Sequence, residues 1–138
     1  MIAYFDTSAI VKILVAEDGT VAARDHWARA SQVLSSLVMY PETVASLAAA
    51  RRSGRLDLRA HRSARDQFES MWAEMIPVAC GLDTVLLAAD LAESDGLRGC
   101  DAIHLASALS TEISELVFVA WDRELLTAAR RNGLAVTA

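Results

Sequence analysis

Four acidic side chains, Asp6, Glu42, Asp101 and Asp122, are separated by dozens of residues yet share one kind of position. Asp6 ends the apolar run Ile2–Phe5, and Asp122 closely follows the apolar run Leu116–Ala120. Both runs read as buried strands. Glu42 and Asp101 each fall in the first turn of an expected helix. In an open parallel sheet, helices that follow strands begin at the strands' carboxyl ends, and ligands bind along that edge. The four carboxylates are therefore expected to converge on one crevice. Each also has a purely structural reading: Asp6, Thr7 or Ser8 can cap the first helix, Asp122 can cap the last, and Glu42 and Asp101 suit helix N-termini.

Electrostatics separates the two readings. Two like charges about 4 Å apart repel by roughly 4 kcal/mol at an effective dielectric near 20. Three or four carboxylates in one crevice must shift their pKa values, splay apart or be neutralised by a cation. Hard divalent cations accept oxygen ligands, and Mg²⁺ typically uses one or two carboxylates, with water and substrate phosphates completing its shell. The chemistry expected of such a cluster is metal-assisted attack of water on a phosphodiester.

The elements that must position these residues follow from periodicity. Strands are expected at Ile2–Phe5, Gln32–Ser35, Ile76–Ala79, Leu116–Ala120 and Leu134–Val136. Between them lie helical patterns over Ser8–Ala16, Thr20–Ala30, Ser36 to about Arg52, Leu58–Met75, a segment capped by Asp83, Asp101 to about Ser110, and Arg123–Arg131. Pro41 is accommodated only in a first helical turn or a modest kink. Strands alternating with helices predict a three-layer α/β/α sandwich around a central, mostly parallel sheet. One domain over residues 1–138 is the expectation for this length.

Hydrophobic residues make up 54% of the chain, enough for a substantial core and too many for a disordered one. No basic segment followed by an apolar run opens the chain, so no signal peptide is expected. No stretch is long and apolar enough to span a membrane. Cys80 and Cys100 lack metal-ligand spacing, Cys100 reads as a small core residue, and a reduced cytoplasmic setting is expected. The net charge of −5 argues against general nucleic-acid affinity, but Arg51, Arg52, Arg55, Arg59, Arg62 and Arg65 form a basic segment opposed only by Asp57. Such a segment can track a phosphate backbone, or simply be a solvated helix face. His104 reads as a partly buried helical histidine, and His26 and His61 lack ligand partners. No Ser-His-Asp arrangement, P-loop or dinucleotide fingerprint is present.

The run Asp6-Thr7-Ser8-Ala9-Ile10-Val11-Lys12 resembles the opening of PIN-domain proteins, especially VapC-type toxins of toxin–antitoxin pairs. Ser36–Glu42, the run Leu97–Ala106 containing Asp101-Ala102-Ile103-His104-Leu105-Ala106, and Val119–Leu125 match further stretches in the family's order. The resemblance covers nearly the whole chain. It implies a Mg²⁺- or Mn²⁺-dependent endoribonuclease in which Asp6, Glu42, Asp101 and Asp122 are the catalytic, metal-holding quartet, with Ser8 a nearby polar contact. It also implies a cognate VapB-type antitoxin that blocks the site, and a toxin homodimer. Ser8, Lys12, Arg51, Arg52 and Arg55 are the candidates for contact with RNA. One position departs from the family: Ala120 stands where Thr or Ser is common, removing a hydroxyl that could orient water. The alternatives are a PIN-like module that binds RNA or protein with little turnover, or a nuclease acting on DNA.

Overall fold

Strand β1 (Ile2–Phe5) is short, and its last three residues are buried, as a strand covered on both faces must be. The computed structural model describes residues 1–138. It places β1 at the centre of a five-stranded sheet with β2 (Gln32–Ser36), β3 (Ile76–Val78), β4 (Leu116–Val119) and β5 (Ala135–Thr137), in the order β3-β2-β1-β4-β5. Every pairing is parallel, so the expectation of a mostly parallel sheet is met in full. Tyr4 pairs with Leu34 on one side and Phe118 on the other, and Phe5 with Val119.

Seven helices cover the sheet: α1 (Thr7–Leu14), α2 (Thr20–Arg29), α3 (Met39–Arg52), α4 (Leu58–Glu74), α5 (Leu82–Asp95), α6 (Gly99–Ser110) and α7 (Arg123–Arg131). Because side chains alternate along a strand, Ala3 and Phe5 point to one face and Tyr4 to the other. The first face packs on Ile10, Leu47 and Phe68 of α1, α3 and α4. The second packs on Ala88, Leu105 and Leu125 of α5, α6 and α7. The result is the expected sandwich. From β1 the chain moves outward to β2 and β3, then returns to β4 on the opposite side of β1. This reversal creates a topological switch point at the carboxyl end of β1, where open parallel sheets bind ligands.

Several boundaries differ from expectation for identifiable reasons. Ser36 ends β2 instead of opening α3, because its N–H donates to the buried Tyr4 hydroxyl and its own hydroxyl accepts from Val38 N–H. Pro41 then falls within the first turn of α3, where no backbone donor is needed. Gly81, not Asp83, is the N-cap of α5, and Asp83 lies inside its first turn. Helix α6 starts at Gly99, two residues before Asp101. Pro77 is tolerated in β3 because that strand is an edge.

Candidate active site

Asp6 leaves β1 at the switch point and is only 3% exposed. Its Oδ1 accepts from Ala9 N–H at 3.1 Å and from the Ser8 hydroxyl at 2.6 Å, so Asp6 caps α1 while also lining the crevice. The cap expected of Asp6, Thr7 or Ser8 falls to Asp6, whose carboxylate does both jobs with one oxygen spent on the helix. Burial pushes the Asp6 pKa up, against the opposing pull of His104 and of hydrogen bonds from Ser8 and Ala9. Ser8 also accepts from Trp121 N–H at 2.8 Å, tying the end of β1 to the segment that carries Asp122.

Glu42 reaches the same crevice from the first turn of α3. Its Oε2 accepts from the Thr7 hydroxyl and lies 2.7 Å from His104 Nε2. Burial alone would raise its pKa, but the hydrogen bonds of His104 and Thr7 outweigh it and bring the carboxyl down to about 2. A carboxylate whose pKa falls on folding stabilises the fold above its unfolded value, 4.5 here, and loses that contribution as pH falls toward 2. Glu42→Gln is therefore expected to be less stable than the parent at pH 7. The gap should close as pH drops from 4.5 to 2, as read by denaturant unfolding at a series of pH values.

Asp101 and Asp122 complete the cluster from α6 and from the turn before α7. Asp122 Oδ1 caps α7 by accepting from Leu125 N–H at 2.9 Å, a second case of a cap that is also a crevice residue. Arg98, at the N-terminus of α6, donates from Nε to Asp101 Oδ2 at 3.1 Å and places Nη2 3.8 Å from Asp122 Oδ2. Its guanidinium pKa is raised by Asp101 first and Asp122 second. The sequence reading missed Arg98, although its position three residues before Asp101 puts both on one helix face.

Asp6, Glu42, Asp101 and Asp122 thus line one crevice together with Ser8, Arg98 and His104. His104, expected as a partly buried helical histidine, is helical and only 2% exposed, and it is hydrogen-bonded to the Glu42 carboxylate. Cys100 is likewise exposed instead of packed in the core. Its thiol pKa is raised, chiefly by a hydrogen bond to Glu42 and then by burial. His26 lies outside the crevice, against Thr137, Ala138 and Trp121.

Of the expected RNA contacts, only Ser8 is in the crevice. Lys12 pairs with Glu17 at 3.3 Å, and Arg55 pairs with the same carboxylate at 3.2 Å. Ser46 borders both the crevice and a neighbouring groove between α1 and α3 that Val11, Val15 and Ala50 line and Arg55 closes. Arg51 and Arg52 are exposed at the end of α3. The basic segment meets more acid than Asp57, since Arg65 pairs with Glu69 at 3.0 Å.

The donor set suits a hard cation: four carboxylates supply oxygen ligands, and one of them is buried against the cost of its charge. No three Asp, Glu, His or Cys side chains are drawn together closely enough in this structure to hold an ion by themselves.

Residues 3–131 match the PIN domain, so the chain belongs to the PIN-domain family. It is 41% identical over 133 residues to Ribonuclease VapC45 of Mycobacterium tuberculosis (strain CDC 1551 / Oshkosh), covering 96% of this chain and 92% of that protein. The same figures hold for Ribonuclease VapC49 of strain ATCC 25618 / H37Rv. Among solved structures, PAE2754 from Pyrobaculum aerophilum is similar in fold, with TM-score 0.72 and 21% identity over 97% of this chain and 87% of that one. A toxin–antitoxin complex from Klebsiella pneumoniae aligns with TM-score 0.66 and 17% identity, covering 99% and 96%.

Proposed function

We infer that this chain is a divalent-metal-dependent endoribonuclease of the VapC type, acting as the toxin of a toxin–antitoxin pair. The observation that carries the reading is the convergence of four acids from β1, α3, α6 and the β4–α7 turn on the switch-point crevice. Relatives that are 41% identical over 96% of this chain and bear the name ribonuclease support it. Asp6, Glu42, Asp101 and Asp122 would hold the cation, Mg²⁺ or Mn²⁺. When bound, such an ion supplies Lewis-acid activation of water and neutralises the charge that develops on a phosphodiester.

The chain's own residues do the rest. Thr7 and His104 orient Glu42, Ser8 orients Asp6, and the caps of α1 and α7 fix Asp6 and Asp122 relative to the sheet. Arg98 is the cationic side chain nearest a phosphate that enters beside Asp101 and Asp122. Ala120 packs wholly within the core, so the hydroxyl common in the family has no counterpart on that residue. Ser8 is the hydroxyl that meets the backbone at the next residue, Trp121.

RNA is the substrate in this reading, and a VapB-type antitoxin the partner that covers the crevice; the active form is a homodimer. The neighbouring fold seen in a toxin–antitoxin complex supports the antitoxin. No helix is long and apolar enough to cross a membrane, in keeping with a cytoplasmic site of action. The Arg51–Arg55 end of the groove tracks the RNA backbone. Replacing Arg51, Arg52 and Arg55 together with Ser is expected to weaken RNA binding and to lower the slope of log K against log[salt] by up to about 2–3. An unchanged slope places the backbone elsewhere. The reading itself is tested by offering the protein matched RNA and DNA oligonucleotides with Mn²⁺. Cleavage of the RNA alone supports it, since only RNA presents a 2′-OH; cleavage of the DNA alone replaces it with a DNA nuclease.

A further inference from the structure

We propose that His104 is the positioning residue for Glu42, and that the buried hydroxyl of Tyr4 sets which imidazole nitrogen faces the carboxylate. The inference rests on the metal-nuclease reading and goes beyond the acidic quartet.

The donors and acceptors along this line leave one arrangement for the neutral ring. Ser36 N–H donates to Tyr4 Oη at 3.0 Å, filling one of its lone pairs. Tyr4 has a single proton to give, and His104 Nδ1 lies 3.0 Å away. With Nδ1 accepting, the ring carries its proton on Nε2. That N–H points at Glu42 Oε2, 2.7 Å away.

The opposite tautomer would set a lone pair against a carboxylate and leave the Tyr4 hydroxyl facing another donor. Burial holds the arrangement in place. Tyr4 is fully buried and stacks on Phe118 with centroids 5.3 Å apart and planes 7° from parallel. His104 meets the same tyrosine edge-on at 6.0 Å. Neither ring can turn without disturbing the core beneath the crevice.

The consequence is a coupling between two acids. Asp101 and His104 are three residues apart on one face of α6. The helix therefore presents Asp101 directly and Glu42 through the imidazole. The backbone of β2, through Ser36 and Tyr4, then sets the orientation of a carboxylate carried by α3. This has the logic of an outer-shell partner, whose loss typically costs about 10–100-fold in metal affinity or activity.

The test measures Mn²⁺ affinity by calorimetry, melting temperature, and kcat and KM for RNA cleavage in the wild type, His104→Ala, His104→Gln and Tyr4→Phe. The Gln amide can place an N–H near the position of Nε2. His104→Ala is expected to lose about ten-fold or more in Mn²⁺ affinity and kcat with KM for RNA little changed. His104→Gln should recover most of that loss, and Tyr4→Phe should fall between. If His104→Ala does not fold, the comparison of His104→Gln with Tyr4→Phe decides in the same way, with Gln expected to be the better of the two. Variants that lose melting temperature but keep wild-type Mn²⁺ affinity and kcat overturn the inference and leave the nuclease reading standing. A wild-type protein that neither binds Mn²⁺ nor cleaves RNA overturns that reading, and the inference with it.

Discussion

Asp6→Asn is expected to abolish divalent-cation binding and RNA cleavage while making the metal-free protein more stable. The two effects have one origin. Asp6 is 3% exposed at the end of the central strand, and burial raises its pKa above the ordinary carboxylate value. A group whose pKa is higher in the folded state opposes folding once it is ionised. The opposition begins as pH rises past the unfolded value, about 3.9, and is complete above the folded one.

Asparagine keeps an acceptor for Ala9 N–H and caps a helix about as well as aspartate, so little is lost at α1. The variant should thus melt above wild type at pH 7 without metal, and the gap should close below about pH 4. Adding Mn²⁺ should reverse the order, because a ligand that binds only the folded state stabilises it by about 2.7 kcal/mol at a hundred times its Kd. The activity lost should exceed the roughly 10–100-fold of outer-shell changes, since a proposed ligand itself is removed. Melting curves with and without Mn²⁺, alongside an RNA cleavage assay, check all three statements. A variant less stable than wild type in the absence of metal would show that Asp6 serves the fold more than the site.

Phe118→Ala should be the most damaging single truncation beneath the site. Phe118 is fully buried on β4, stacks on Tyr4 and pairs in register with it across the sheet. Truncating a buried phenylalanine to alanine costs about 3–5 kcal/mol, through lost transfer free energy and the cavity left behind. Against a typical domain stability of 5–15 kcal/mol, that is a large share. Denaturant unfolding should show a lower midpoint with an unchanged slope. Because Tyr4 would lose its stacking partner, Mn²⁺ affinity should also fall in the folded variant.

The sheet edge was legible in the chain because its signals are local. Ile2–Phe5 and Leu116–Val119 are unbroken apolar runs, and each gives way within three residues to an acid. Parallel alternation then forces Asp6, Glu42, Asp101 and Asp122 to the same side. The partners of those acids were less legible. Arg98 reaches Asp122 across a gap of 24 positions in the chain, and His104 reaches Glu42 across 62. Such contacts depend on how α3 and α6 pack on β1, and periodicity does not report that.

Asp6 is legible in the chain either as a cap or as a crevice acid; that it is both follows from its two carboxylate oxygens, one of which serves the helix. Ser36 shows a second limit. A hydroxyl before an apolar run looks like a helix start, but here its backbone is bound to Tyr4 32 positions earlier, so it closes β2.

The most direct test of the account is cleavage of a 5′-labelled pool of structured RNAs by purified, antitoxin-free wild-type protein with Mn²⁺, run beside Asp101→Asn. Asp101 is half-buried on the rim of the crevice, and neither caps a helix nor fills the core, so its replacement isolates the site from the fold. The account predicts discrete cleavage products with wild type, none once the metal is chelated, and none with Asp101→Asn at an unchanged melting temperature. Wild-type levels of cleavage by Asp101→Asn, or cleavage that persists without the metal, would contradict it.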